Sequence, residues 1–375
     1  MRDPLNLVVF GLSLSSSWGN GHATTFRALL RGLAASGHNV LFLERDVPWY
    51  AGHRDLPSPD FCTLAYYDTI DAVLATHGAR LKEADAVIVG SYVPDGCELI
   101  DRLAHLAPRH LCFYDIDTPV TLAALERGEE PYLARRQIPL FDIYFSFSGG
   151  AVLDILEHRF QARKAAALYC SVDAERYVNT REPLRWDLGY LGTYSADRQP
   201  TLERLLLEPA RRLPDLRFVV AGPQYPGEIE WPENVERIDH LPPREHASFY
   251  SRQRFTLNVT RADMITAGWS PSVRLFEAAA CSAPIISDEW RGLDELLPDG
   301  QALVIARTSE DVVAVLTRMD DATRRMIAEA ARSEVLASHT GLARARQMAG
   351  ALAALEQTPS ATMTLDPQID SVRRS

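Results

Sequence analysis

This sequence lacks a basic surplus: 50 acidic residues outnumber 39 lysines and arginines, for a formal net charge of −11. A nucleic-acid partner is therefore not expected, because a phosphate backbone demands a basic face. Long apolar runs are missing too, and none reaches transmembrane length. The one stretch that imitates a targeting segment, Leu5 to Leu14, has Asp3 in its charged region and no small-residue cleavage site behind it, so it reads as a first strand. Cysteines are few: the five (62, 97, 112, 170 and 281) are odd in number and without metal-ligand spacing. That excludes a cysteine metal cluster and points to reduced, buried thiols in a cytoplasm. Short-period repeats are absent. So is a complete dinucleotide fingerprint, since only Gly19-x-Gly21 of G-x-G-x-x-G is present, which argues against a nicotinamide enzyme.

What is present is a regular alternation of strands and helices over 375 residues, a length that accommodates two domains and a sizeable core. Leu5 to Phe10 is an apolar run ending at Gly11, as a central parallel strand should be. A Ser/Gly-rich loop follows, and Phe26, Leu29, Leu30, Leu33 and Ala34 then mark an amphipathic helix ended by Gly37. Val40 to Leu43 completes a βαβ unit, with Glu44 or Asp46 placed where a ribose binder could stand. Further strands are expected at 86–89, 111–114, 143–145 and 166–173. Their polar or glycine-rich ends would collect on one rim and line a cleft. The polar stretch from Asn179 to Trp186, with Pro183, separates the halves. Beyond it, strands at 188–192, 216–221, 235–238, 255–259, 284–286 and 302–305 alternate with helices. Helices at 310–319, 322–336 and 342–355 close the chain. The fold class is α/β, with two doubly wound, parallel-sheet halves. The tail, Thr358 to Ser375, is polar and aperiodic and reads as disordered.

Four loops carry candidate chemistry. Ser270 and Pro271 read as the N-cap and first residue of a helix, whose free N–H groups and dipole make an anion site. Ser272, Arg274 and Glu277 follow on it; a phosphate at the helix start can coexist with a carboxylate gripping neighbouring hydroxyls, or Arg274 and Glu277 can be a plain surface ion pair. Gly192-Thr193, with Arg198, suits a phosphate cradle, or is only a connection. Gly19-Asn20-Gly21 allows close approach of a ligand, and His22 beside it can act as a base or simply sit exposed in a first turn. Asp115 and Asp117 on another strand end are its possible partners. Arg261 can meet charge developing on a leaving diphosphate, or pair with Asp263.

Together, Trp18-Gly19-Asn20-Gly21-His22, Tyr114-Asp115-Ile116-Asp117-Thr118-Pro119, Tyr169-Cys170-Ser171-Val172-Asp173 and the segment from Ser270 to Glu277 resemble the CgeB-type (spore-maturation-like, group 1-like) glycosyltransferases. These are a bacterial group within the GT-B superfamily, and the resemblance covers about residues 5 to 355. It implies a GT-B fold, two Rossmann-like domains facing a central cleft: residues 1–172 for the acceptor, 173–338 for the nucleotide-sugar donor, and 339–357 crossing back to the first domain. It implies transfer of a sugar from a nucleoside-diphosphate sugar to an unidentified acceptor, without a metal or other cofactor. Glu277 would hold the ribose, while Ser270, Ser272, Arg274, Gly192 and Thr193 hold the diphosphate. Arg198 and Arg261 would neutralise the leaving group, and His22 with Asp117 would face the acceptor, beside Gly19, Asn20 and Gly21. The backbone of Asp239 to Pro243 would abut the base. Many retaining members carry two glutamates seven residues apart; Glu277 matches the second, but Trp269 stands at the first, which leaves the anomeric outcome open. Alternatives are a nucleotide-sugar epimerase of the same fold and a non-catalytic sugar-nucleotide binder.

Overall fold

The computed structural model describes residues 4–18 and 21–356. The first sheet has seven parallel strands: β1 (Asn6–Gly11), β2 (Asn39–Arg45), β3 (Thr63–Tyr67), β4 (Ala86–Gly90), β5 (Leu111–Asp115), β6 (Ile143–Ser146) and β7 (Ala165–Ala167). Their order is β3-β2-β1-β4-β5-β6-β7. The second sheet contains β8 (Trp186–Leu191), β9 (Phe218–Ala221), β10 (Val235–Ile238), β11 (Gln253–Asn258), β12 (Ile285–Ser287) and β13 (Val304–Ile305), in the order β10-β9-β8-β11-β12-β13. Every pairing within the two sheets is parallel. Chain direction across each sheet therefore reverses between β1 and β4, and between β8 and β11. Crevices at such switch points, outside the carboxyl ends of the strands, are where open α/β sheets bind ligands.

Burial explains why these runs are strands. Along β1, Leu7 and Val9 enter the cluster shared with the Gly21–Ala35 helix, while Val8 and Phe10 enter the core on the opposite face. A strand covered on both faces is apolar at every position, which is the pattern the sequence shows. The final helix, Gly341–Glu356, returns to this first layer: its Ala345, Met348 and Leu352 pack with Phe26, Leu29 and Leu33. The two helices touch backbone to backbone. A Cβ on Gly32 would lie 2.2 Å from Gly341 O, and one on Gly341 would lie 2.0 Å from Ala28 O.

Two expectations are corrected. The sequence reading assigns no element between Asp46 and Ala86, but β3 and the Ile70–Glu83 helix stand there. β3 is an edge strand of five residues with only Tyr67 buried, so it lacks the Val/Ile/Leu-rich run of a strand covered on both faces. The strand expected at 166–173 stops at Ala167; Leu168 N still donates to Ser146 O at 2.7 Å, and then Val172 N turns to His339 O at 3.0 Å. Residues 168–173 thus form a crossing between the sheets, side by side with the return crossing at His339–Thr340. Buried Arg344 fastens the pair, donating from Nε to Tyr169 O at 2.9 Å and from Nη1 to Ser338 O at 2.9 Å. The Gln199–Arg212 helix contains a wide turn at Glu203–Leu207, because Pro209 has no N–H to offer the preceding turn. The tail assigned to Thr358–Ser375 lies outside the described residues. No helix among the described residues is long and apolar enough to cross a membrane.

Candidate functional site

A cavity of about 720 Å³ opens between the carboxyl ends of the two sheets. From the first sheet it is lined by Ser17, Trp18, Gly21, Thr24, His53 and Asp55, and from the second by Gly192, Thr193, Arg274 and Glu277 among others. A slightly larger hollow, about 810 Å³, lies at the opposite, amino-terminal edge of the first sheet around His38 and Asp60. The cleft between the sheets is the better candidate, because the strand ends and their polar loops converge there.

The helix that organises its floor is Val273–Ala280, which starts two residues later than the sequence reading placed it. Its N-cap is Ser272, and Ser270 and Pro271 are not part of it. Ser270 is instead fully buried: its Oγ donates to Gly268 O at 2.7 Å and sits 2.6 Å from Ser148 Oγ of the first half. Ser270 therefore joins the two halves and does not face the cleft. The cause is the bend just before it, where Gly268 and Trp269 take φ values of +71° and +41°. The Trp269 indole is wedged between glycines of the two halves: a Cβ on Gly150 or on Gly292 would lie 2.2 Å from its ring. Its Nε1 donates to Glu295 at 2.8 Å, so the side chain at the position of the absent first glutamate is a packing element.

Glu277 is not half of a surface ion pair. It is 6 % exposed, on the cavity wall, and the Tyr250 hydroxyl donates to its Oε2 at 3.3 Å. Burial raises its carboxyl from 4.5 to about 7, against the hydrogen bond from Tyr177, the charge of Arg274 and the bond from Tyr250. Arg274, one turn earlier, donates to Leu191 O at the end of β8 and, at 3.4 Å, to Asn258 Oδ1 at the end of β11. Ser272 Oγ also donates to Asn258 Oδ1, at 2.9 Å. Residues at the ends of both switch-point strands thus fix the helix start.

Around it cations crowd. Burial, and after it the charges of Arg274 and Arg261, hold the Arg198 guanidinium below its ordinary pKa, against the opposing influence of Tyr190 and Tyr225. Arg198 Nη2 donates to Thr193 O at 2.7 Å, while its Nε is buried without a partner. Arg261 forms no ion pair with Asp263, and the loop it begins is held by Asp197, which accepts from Ala262 N at 2.9 Å. A buried guanidinium lowered by burial and by two guanidinium neighbours sits where negative charge is stabilised. Among the described residues, no group of three or more His, Cys, Asp or Glu side chains is arranged to hold a metal ion.

Beside the cavity-lining Gly21, His22 stands in the first turn of its helix, behind the wall, its ring 5.1 Å from that of Tyr92. Burial lowers its pKa and the charge of Asp117 opposes the change. Tyr92 Oη donates to Asp117 Oδ2 at 2.9 Å and holds a φ of +64°, an uncommon backbone for an aromatic residue. Asp115 does not share in this cluster's outward face. It is fully buried, accepts from Tyr144 Oη at 2.6 Å and Thr121 Oγ1 at 2.9 Å, and is raised by burial to about 6. Glu44 is likewise no ribose binder, because its carboxylate accepts Leu14 N, Ser15 N and two serine hydroxyls of the first loop. Gly19 and Asn20 lie outside the described residues; Gly21 lines the cavity.

Sequence reasoning missed Tyr177 and Tyr250, which contact Glu277, and His246, which lies 3.3 Å from the Tyr177 hydroxyl. The i,i+4 spacing of His246 and Tyr250 on one short helix was the available signal; Tyr177, in the connecting segment, gave none. His240, Leu241 and Pro243 line the cavity, where the base was expected to abut.

Comparison with known proteins agrees with this geometry. A family model described as "Glycosyl transferase-like" matches residues 198–350. No curated protein matches the sequence. The sucrose-phosphate synthase of Thermosynechococcus elongatus superposes with a TM-score of 0.67 at 13% identity, covering 94% of this chain and 99% of that one. Anabaena HepE, solved with UDP and glucose, gives 0.65 at 12% identity over 93% of this chain and 100% of its own. An α-glucosyltransferase solved with UDP and a 13-mer DNA gives 0.65 at 11% identity over 94% and 100%. This chain accordingly has the GT-B fold, two Rossmann-like parallel-sheet layers facing a cleft, and its second half carries the glycosyl transferase-like signature.

Proposed function

We propose that this protein is a glycosyltransferase that moves a sugar from a nucleoside-diphosphate sugar to an acceptor, without a metal ion. The observation that carries the reading is the Arg198–Arg261–Arg274 cluster beside the start of the Val273–Ala280 helix, with Glu277 buried in the same cleft. A diphosphate satisfies the cations and the helix start, and ribose hydroxyls satisfy the carboxylate. Ser272, Gly192 and Thr193 complete the diphosphate site, and Arg198 and Arg261 stabilise charge that grows on the leaving group, where such contacts accelerate the chemical step. His22 and Asp117 face the acceptor. Structures of the same fold solved with UDP or UDP-glucose make a uridine-diphosphate sugar the first donor to test. On the same proposal, residues 1–172 take the acceptor, 173–338 the donor, and 339–357 cross back. The CgeB-type, bacterial assignment and a cytoplasmic location belong to it too.

The test is a thermal-shift panel of UDP, GDP, TDP, ADP and CMP, with their sugars and with EDTA present, on wild type and Glu277→Ala. A ligand that binds only the native state must raise the melting temperature. One nucleotide should shift wild type and leave the variant unmoved. Equal shifts in both would remove Glu277 from the donor site, and no shift in either would remove the donor. Release of free sugar from the bound donor then separates a transferase from a binder, and recovery of an epimer would favour epimerisation.

A further inference from the structure

We propose that Trp18, Trp49 and His53 form a docking platform for a saccharide portion of the acceptor, a proposal that rests on the sugar-transfer reading above. Trp18 and Trp49 are 47% and 62% exposed. The Trp18 ring stacks on His53 with centroids 4.2 Å apart and planes 10° from parallel, and Trp49 lies against Trp18 at 4.8 Å. Tryptophans are rarely left this exposed together unless something covers them.

The rings are held in place by a frame that has no other evident use. Glu44, buried at the end of β2, grips the first loop through Leu14 N and Ser15 N. Ser16 Oγ donates to His53 O at 2.8 Å, which ties the loop after β1 to the loop after β2. Asp55 accepts from Ser17 N at 2.8 Å and Ser17 Oγ at 3.0 Å, and from both terminal nitrogens of Arg27 at 2.8 Å. Arg27 closes the ring by donating from Nε to Leu14 O at 2.9 Å. A surface aromatic group fixed in advance loses little entropy when a ligand covers it.

Position and chemistry name the occupant. Trp18 and His53 line the same cavity as Arg274 and Glu277, so a ring resting on the platform lies across the cleft from the donor site. A pyranose offers one face of C–H bonds, which suits the apolar ring faces, and a rim of hydroxyls. His53 Nδ1 lies 3.1 Å from Trp49 O and therefore carries the proton, which leaves Nε2 as an acceptor for a hydroxyl. Thr24, also on the cavity wall, offers a second polar partner. A purely apolar acceptor would leave these groups desolvated and unmatched.

The experiment uses the full chain with saturating UDP and a glycan array spanning the common hexose, N-acetylhexosamine and deoxyhexose linkages. Affinities for the best binder are then measured by tryptophan fluorescence and calorimetry on wild type, Trp49→Ala and Trp49→Phe. Because Trp49 is exposed, neither substitution removes core packing. Wild type should bind at least one glycan, Trp49→Ala should lose about tenfold in affinity, and Trp49→Phe should recover most of it. Binding of UDP with no glycan bound, or glycan binding unchanged in Trp49→Ala, overturns the platform and leaves the donor reading standing. Binding of aryl or acyl compounds in place of glycans overturns it as well. If UDP itself does not bind wild type, the donor reading fails and the platform falls with it.

Discussion

Replacing Glu277 with glutamine should make the unliganded protein more stable at alkaline pH and unable to hold its donor. In the folded chain burial raises this carboxyl from 4.5 to about 7. The native state therefore keeps a proton that the unfolded chain has already lost, and stability falls as pH rises from about 4.5 to about 7. Below that window the cost is absent; above it, the cost is complete. At 1.36 kcal/mol per pH unit the gap amounts to about 3 kcal/mol. Glutamine keeps the volume and the hydrogen bond from Tyr250 but has no charge to desolvate. Melting temperatures recorded by calorimetry should coincide for wild type and Glu277→Gln at pH 4.5 and diverge by about 4 °C in favour of the variant at pH 8. Ribose hydroxyls donate to the charged carboxylate, so UDP affinity of wild type should rise between pH 6 and pH 8, while that of the variant stays low and flat. The same pH dependence of melting in both proteins, or a wild type that is the more stable at pH 8, would refute the argument.

Two further changes test how the cleft is assembled. Gly32→Ala would ordinarily favour a helix by up to about 1 kcal/mol, but here the new methyl meets the Gly341 carbonyl at 2.2 Å, so a net loss of about 2 kcal/mol is expected in a denaturant titration. A midpoint that is unchanged or higher would show that the two helices separate freely. Arg344→Met leaves the carbonyls of Tyr169 and Ser338 buried without their donor and should cost about 3 kcal/mol. Since His339, 2.5 Å from Arg344 and stacked on Phe276 of the Glu277 helix at 4.3 Å, loses its support, donor affinity should fall with stability. Stability lost with UDP affinity intact would disconnect the crossings from the site.

The sequence by itself determined the two alternating halves. Parallel strands covered on both faces must be apolar throughout, and runs such as Leu7–Phe10 and Val87–Val89 cannot be read otherwise. Gly192 and Thr193, which follow a strand of the second sheet, line the cavity because the carboxyl ends of such strands share one rim. Tertiary structure alone decided the rest. Ser270 has the composition of a cap, but its partner is Ser148, 122 residues away, and no local pattern encodes that distance. Asp115 and Asp117 are near neighbours of one type, and only the packing of Tyr144 and Tyr92 turns one inward and the other toward His22. Tyr177 reaches Glu277 from a connecting segment with no motif. Periodicity records which face of an element is buried; which buried or polar groups meet depends on contacts between residues far apart in the chain, and those exist only once both sheets are packed.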